Sequence, residues 1–293
     1  MVCDIISDNG GIKLNKADLH THTTASDGLY SPVELVRAAQ RAGLAAVAVT
    51  DHDTMAGVAE AKKEGAKWGI DVISGVEISS LAEGKEIHVL GYFPGEMEPG
   101  FVDKLRSLRD VRRKRNEMIL EKLRELGIPI QMEEVMAKRR EGSPEANVGR
   151  PHIAEVLVDK GVVSTIDEAF ERFLGKDGAA YCTPRRISPM EAIRWISEAG
   201  GIPVLAHPGI YEDDELVETL IQGGLAGLEV YHPDHNREME QRYEALAKKH
   251  RLIVTGGSDF HGERHGIPYH GLLGSRTVGM DRVEALYALK RGK

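Results

Sequence analysis

The groups able to do chemistry in this 293-residue chain are imidazoles and carboxylates, and they fall where short apolar, β-branched runs end. His20-Thr21-His22, Asp51-His52-Asp53, Glu77, His207, the stretch from Glu229 to His232, and Asp259-Phe260-His261 each close one such run, and His88 sits inside a seventh. Residues two apart in a strand point to the same face, so His20 with His22, and Asp259 with His261, can present paired donors to one ion. Asp27, in the loop Ala25-Ser26-Asp27-Gly28, adds a carboxylate beside the first pair. Glu77 ends Gly75-Val76-Glu77 and has two oxygens with which to bridge two ions. Asp51 and Asp53 flank His52 and are either ligands or partners that orient its ring. Each of these groups alone has an ordinary explanation as a core histidine or a helix cap; together they describe a metal-dependent hydrolase. Imidazole and carboxylate without thiolate suit Zn, Mn, Fe or Mg and do not choose among them.

The elements that must position these groups follow from periodicity. Apolar runs near 17–22, 45–50, 72–77, 86–92, 203–207, 226–231 and 252–257 alternate with amphipathic stretches at 31–42, 54–68, 188–199, 213–223 and 235–250. That alternation predicts parallel strands joined by helices, and polar groups gathered at strand ends favour a closed barrel over an open sheet. Ser79 to Lys85 is too short for a crossover helix, so a hairpin or irregular strand must distort the barrel there. From 96 to 186 the β signal gives way to helical sequence at Val102–Leu126, Glu133–Arg140, Arg150–Lys160 and Ile166–Leu174. The expected organisation is therefore an α/β barrel from 1–95 and 187–293, with an inserted helical subdomain, 96–186, that caps the substrate.

Composition bounds the partners. With 41% apolar residues the chain can bury a full core. A net charge of −8 argues against a stable duplex nucleic-acid partner, although bound divalent cations would make one cleft positive. Residues 101–150 run against the overall sign, with 13 Lys and Arg to 9 Asp and Glu. Within them, Arg112-Arg113-Lys114-Arg115 reads as a solvated helix face paired with Asp110, Glu117 and Glu121. His265 and His270 read as solvated loop residues, and Tyr181 as a packing residue. Cys3 and Cys182 lack the spacing of a thiolate site or a disulfide framework. Neither a signal peptide nor a membrane span is visible, and the expected setting is cytoplasmic, with no membrane partner.

The motifs resemble those of the PHP (polymerase and histidinol phosphatase) family, within the amidohydrolase superfamily. The matching stretches are Asp18-Leu19-His20-Thr21-His22-Thr23, Ser26-Asp27-Gly28, Thr50-Asp51-His52-Asp53, Gly75-Val76-Glu77, His88-Val89-Leu90-Gly91-Tyr92, Ala206-His207-Pro208 and Ser258-Asp259-Phe260-His261. The resemblance implies a distorted (β/α)7, TIM-like barrel with two or three divalent ions. It implies that His20, His22, Glu77 and Asp259 hold the first ion, Asp27, His52 and His261 the second, and His88 and His207 a third, with Glu77 shared. Some relatives carry histidine where Asp27 stands, which makes the second site here one charge more negative.

A finer resemblance covers Asn147-Val148-Gly149-Arg150-Pro151-His152-Ile153-Ala154, Leu174-Gly175-Lys176 and Ala180-Tyr181. These segments are similar to PHP proteins acting on nucleotide phosphates, the 3′,5′-nucleotide bisphosphate phosphatases and oligoribonucleases. The implied substrate is a small phosphorylated molecule, a nucleotide, with short RNA as a second class. Arg150 suits a phosphate clamp because its planar fork matches two phosphate oxygens at once. Lys176, His152 and His232 are further candidates for the same anion. The expected reaction is attack of a metal-bridging hydroxide on phosphorus, with Arg150 holding the group and His232 or Asp259 protonating the leaving oxygen. Competing readings are a histidinol-phosphate-type phosphatase, a hydrolase of a non-phosphate bond, and a non-catalytic metal-binding module; the last would require lost ligands, and none is lost.

Overall fold

The computed structural model describes residues 5–6, 12–13, 15–139, 148–264, 267–268 and 270–291. Eight strands form one sheet: β1 (Lys16–Asp18), β2 (Ala46–Val49), β3 (Asp71–Ala82), β4 (Lys85–Tyr92), β5 (Ile202–Leu205), β6 (Gly227–Tyr231), β7 (Ile253–Gly256) and β8 (Val278–Gly279). Strands β1 to β7 lie side by side in chain order, and β8 adds antiparallel to β1. The chain beyond β7 then returns to β1. Leu19 donates to the Gly256 carbonyl at 3.1 Å, His22 donates to the Phe260 carbonyl at 2.8 Å, and Thr21 pairs in parallel with Phe260. The result is a nearly closed barrel, as the strand-helix alternation predicts.

Strands β2 and β5 are buried along their whole length, as expected of strands covered on both faces. The helices that cover them are α1 (Pro32–Arg41), α2 (Val58–Trp68), α7 (Pro189–Glu198), α8 (Asp214–Gln222), α9 (Arg237–His250) and α10 (Met280–Arg291). Their starts were written in sequence: Ser31 with Glu34, and Ser188 with Glu191, form capping boxes, each followed by proline in the first turn. No described helix is long and apolar enough to cross a membrane.

The distortion falls where the short connection required it. Glu83 (φ 49°) and Gly84 (φ 78°) make a two-residue turn with both central residues left-handed, the geometry that matches strand twist. Strand β4 therefore runs antiparallel to both β3 and β5, while the β1–β2–β3 and β5–β6–β7 pairings are parallel. Among the elements not predicted are the two-residue strand β8, too short to show alternation, and α10, whose weakly amphipathic sequence carries little helical signal.

Among the described residues no strand lies between Tyr92 and Ile202. The segment holds α3 (Phe101–Glu125), α4 (Met132–Met136), α5 (Arg150–Asp159) and α6 (Ile166–Ala169), the last running into a π-turn at Phe170–Leu174. Helix α4 is shorter than the expected 133–140, whose last residue lies outside the described residues. Helix α3 bridges two apolar clusters. Its first turns bury Phe101, Leu105 and Leu108 against the barrel helices. Its last turns bury Ile119, Leu120 and Leu123 with Val135, Ile153, Leu157 and Phe173. At about 1.5–3 kcal/mol for each large side chain, both ends are firmly held.

Candidate active site

The motif residues converge on the end of the barrel where the parallel strands terminate. Glu77 is at the centre. Its Oε1 lies 2.9 Å from His88 Nδ1, 3.2 Å from His207 Nε2 and 3.5 Å from His20 Nε2; its Oε2 lies 2.9 Å from His52 Nδ1 and 3.3 Å from His22 Nε2. Asp259 Oδ1 stands 3.3 Å from His20 Nε2 and 3.2 Å from His22 Nε2. Tetrahedral ligands about 2.1 Å from an ion stand about 3.4 Å apart, close to the separations of His20 Nε2 and His22 Nε2 from Asp259 Oδ1 and from one or other Glu77 oxygen. A second set, His22, Asp27, His52 and His261, gathers alongside, with Asp27 3.8 Å from His52 Nε2 and 3.5 Å from His261 Nε2.

These donors fit metal ions better than one another. His20 Nε2, His22 Nε2, Asp27 Oδ1 and Glu77 Oε2 are buried and make no hydrogen bond of good geometry among the described residues, which is costly for polar atoms unless something else binds them. Electrostatics agrees. Burial opposes charge on His22, yet the Asp259 and Glu77 carboxylates raise its pKa to about 10. Burial likewise opposes ionisation of Asp259, and the His20, His270 and His261 rings hold its carboxyl well below the usual range. Without cations His20 and His22 are driven toward a protonated form that a metal would displace, whereas burial favours the neutral rings of His52 and His207.

An outer set of bonds fixes the ligands. Glu229 accepts from His20 Nδ1, its two oxygens at 3.0 and 3.1 Å, turning Nε2 toward Glu77, and also accepts the His207 N–H at 2.9 Å. Asp51 accepts from Thr23 N–H, Thr23 Oγ1 and Ser26 Oγ, so it ties down the loop that carries Asp27. Asp53 accepts from Ser79 N–H and from Arg112 at 2.9 Å. Both acids that flank His52 thus orient their surroundings. Asp53, His207 and Asp259 all adopt positive φ, a strained choice that tends to mark functional sites. Gly257 is obligatory beside them: a Cβ there would stand 2.3 Å from His20 N.

Above the acidic floor lies a basic wall. Glu86, on β4, is met by Arg150 at 2.5 Å and by Arg115 and Arg186 at 3.2 Å each. Floor and wall line one cleft of about 1340 Å³, which Lys176, Phe170, Tyr181 and His270 also line.

Comparison with known proteins identifies this arrangement. The PHP domain model matches residues 18–144. Over 252 residues the chain is 36% identical to a 5′-3′ exoribonuclease of Haemophilus influenzae, covering 84% of this chain and 90% of that one. The chain belongs to the PHP family. A 3′,5′-nucleoside bisphosphate phosphatase of Chromobacterium violaceum is 35% identical, covering 85% and 88%. A phosphoribosyl 1,2-cyclic phosphate 1,2-diphosphodiesterase of Eggerthella lenta is 31% identical, covering 87% and 97%. The solved structure of a candidate metal-dependent phosphoesterase from Bifidobacterium adolescentis superimposes with a TM-score of 0.84 at 34% identity, covering 93% and 95%.

Within this PHP barrel the expected ligands lie together, and Arg150 and Lys176 line the cleft. His152 is placed differently: its Nδ1 accepts the Gly149 N–H at 3.1 Å, buried at the start of α5 and away from the cleft lining. His232 is fully buried, its Nε2 3.5 Å from Asp259 Oδ2. The expectation for the Arg112–Arg115 run needs correcting. Arg113 does pair with Asp110 on the exposed face, but Arg112 and Arg115 are buried and reach Asp53 and Glu86. A run of charge hides its own periodicity, and three residues apart on a helix is one face. His270 is exposed, as expected of a solvated loop residue, and it also lines the cleft with Nδ1 3.9 Å from Asp259 Oδ2. His265 lies outside the described residues. Sequence reasoning assigned no role to Glu229 or Arg186. Glu229 carried a signal, since it ends an apolar run as Glu77 does; Arg186, in coil before α7, carried none.

Exhaustive chelation is expected to lower the melting temperature of this protein, because the carboxylate and imidazole cluster loses the cations that bind its folded form. Calorimetry with elemental analysis checks this, and an unchanged transition after verified metal loss would contradict it. Metal uptake should release protons and strengthen as pH rises, since His20 and His22 are driven toward the protonated form in the metal-free site.

Proposed function

We propose that this chain is a metal-dependent phosphoesterase that converts 3′,5′-bisphosphonucleosides to 5′-nucleotides and phosphate, and that also accepts short oligoribonucleotides. The observation carrying the reading is the pairing, in one cleft, of a floor built for divalent cations with a wall of guanidinium groups. In this reading two or three ions bind, with His20, His22, Glu77 and Asp259 around one, Asp27, His52 and His261 around a second, and His88 and His207 completing a third. Their identity is Mn, Zn, Fe or Mg. Residues 96–186 act as a capping subdomain that supplies most of the wall.

Ions held there would supply positive charge to the phosphoryl oxygens and lower the pKa of water. The chain's own groups do the rest. Arg150, on the wall beside Glu86, holds a pair of substrate phosphate oxygens and so keeps the reacting group in line over the floor. Burial opposes charge on His232, but the Asp259 and Glu229 carboxylates hold it toward its protonated form; it faces Asp259 Oδ2 through Nε2 and is placed to supply a proton to the leaving oxygen. Burial and the opposing cleft walls exclude bulk water from the floor, which strengthens each of these interactions.

Arg150→Ala is expected to lose about 2–4 kcal/mol of transition-state stabilisation on 3′,5′-bisphosphoadenosine, and Arg150→Lys a substantial part of it, because lysine supplies a point charge without the fork. Metal content should stay the same. Steady-state kcat/KM beside elemental analysis reads both. The reading as a whole is tested by assaying the metal-loaded protein on 3′,5′-bisphosphoadenosine, short oligoribonucleotides, p-nitrophenyl phosphate and a phosphate-free amide. Turnover of the amide alone would overturn it.

A further inference from the structure

We propose that Glu86 is a positioning residue: it holds Arg115, Arg150 and Arg186 as a preformed receptor for a dianionic phosphate group of the substrate other than the one that reacts. The inference rests on the phosphoesterase reading and deepens it by naming what the basic wall binds. Three guanidiniums converge on this one carboxylate, and together the four groups carry a charge of +2. A structural ion pair would need one partner, and the surplus cations are not satisfied by the protein. Arg186 and Arg115 have side chains only 4% and 2% exposed. Nevertheless Arg186 Nη2 and Arg115 Nε have no hydrogen-bond partner among the described residues, and Arg186 Nη1 meets Glu86 only as an ion pair. All three arginines line the cleft. Buried guanidinium donors left unmade are expensive, and their natural acceptors are the oxygens of a planar or tetrahedral anion.

Glu86 supplies the geometry as well as the charge. Guanidiniums packed this closely repel one another, and without a central anion they would turn outward; the carboxylate keeps them facing inward before a ligand arrives. Preorganised donors bind more tightly because the ordering is already done. The position along the strand sets which phosphate is met. Glu86 and His88 are two apart on β4, hence on one face and roughly 7 Å apart. The wall therefore stands one step from the floor, the separation of two phosphates on a single nucleoside. A charge of +2 matches a terminal phosphate dianion better than an internal diester monoanion, so the receptor favours substrates that end in a phosphate.

The test uses Glu86→Gln, close in shape, with Glu86→Asp as the conservative rescue, both in the metal-loaded protein. With 3′,5′-bisphosphoadenosine, Glu86→Gln should raise KM at least tenfold while kcat stays within about twofold. Inhibition by adenosine 5′-monophosphate should weaken by a similar factor, p-nitrophenyl phosphate, which carries no second phosphate, should lose clearly less, and Glu86→Asp should recover most of the loss. Two results would overturn the proposal. An unchanged or lower KM for Glu86→Gln would mean that Glu86 only dampens the wall's positive charge. An equal loss on p-nitrophenyl phosphate would mean a structural role. Calorimetric binding of adenosine 5′-monophosphate to wild type and Glu86→Gln reads the receptor without turnover. Should the wild-type protein hydrolyse no phosphate ester, the phosphoesterase reading fails, while weaker binding to Glu86→Gln would still support the receptor and equal binding would reject it.

Discussion

Glu77→Gln is expected to reduce kcat by about 10⁴-fold or more, a barrier increase of about 5.4 kcal/mol. Five imidazole nitrogens stand within 3.5 Å of this one carboxylate, divided between its two oxygens. The amide replaces one oxygen with a nitrogen that cannot ligate a cation and removes the charge that, on the proposed reading, balances two ions at once. Bound metal should therefore fall by at least one ion per chain, which elemental analysis after gel filtration measures directly. The backbone gives no reason for misfolding, because Glu77 lies inside the regular pairing of β3 with β4. Full metal occupancy with activity within tenfold of wild type would show that Glu77 is not shared between ions.

Asp259→Asn should lower kcat by about 10³-fold, or about 4.1 kcal/mol, for a separable reason. Asp259 sits at φ 50°, a conformation asparagine tolerates about as well as aspartate, so the substitution tests charge and not backbone strain. One oxygen of Asp259 faces His20 and His22 and the other faces His232 and His270, so the variant weakens an ion and disrupts a proton path together. Substrates with better leaving groups should suffer less, because they need less protonation. Comparing p-nitrophenyl phosphate with 3′,5′-bisphosphoadenosine shows this; an equal loss on both would leave only the ligand role.

The floor of the site was legible because strand chemistry is local. HxH spacing, a carboxylate at a strand end and a second spaced pair at 259 and 261 are statements about period two, and the barrel preserves them. The hairpin was legible too, from a connection too short for a helix. Of the wall only Arg150 was named in advance, through a resemblance; the rest was not legible, because its parts come from β4, α3 and the coil before α7, and no sequence period links them. Arg112 and Arg115 look like any other charges on a polar helix until the helix is laid across the barrel mouth, where Asp53 and Glu86 offset the cost of burying them. His152 shows the opposite limit: its motif context suggested a phosphate contact, and its Nδ1 caps a helix.

The reversal of β4 has a metric consequence. In an all-parallel barrel the loops after the strands carry both the reacting centre and the substrate contacts, so the distance between them drifts as loops change length. Here the turn at Glu83-Gly84 sends one strand back down from the mouth, and eight paired residues tie it to β3, from Gly75–Tyr92 to Ala82–Lys85. Glu86, His88 and, across the pair, Glu77 are thus graduations on one stiff ruler. The helices above can change in length and composition while that ruler keeps its scale.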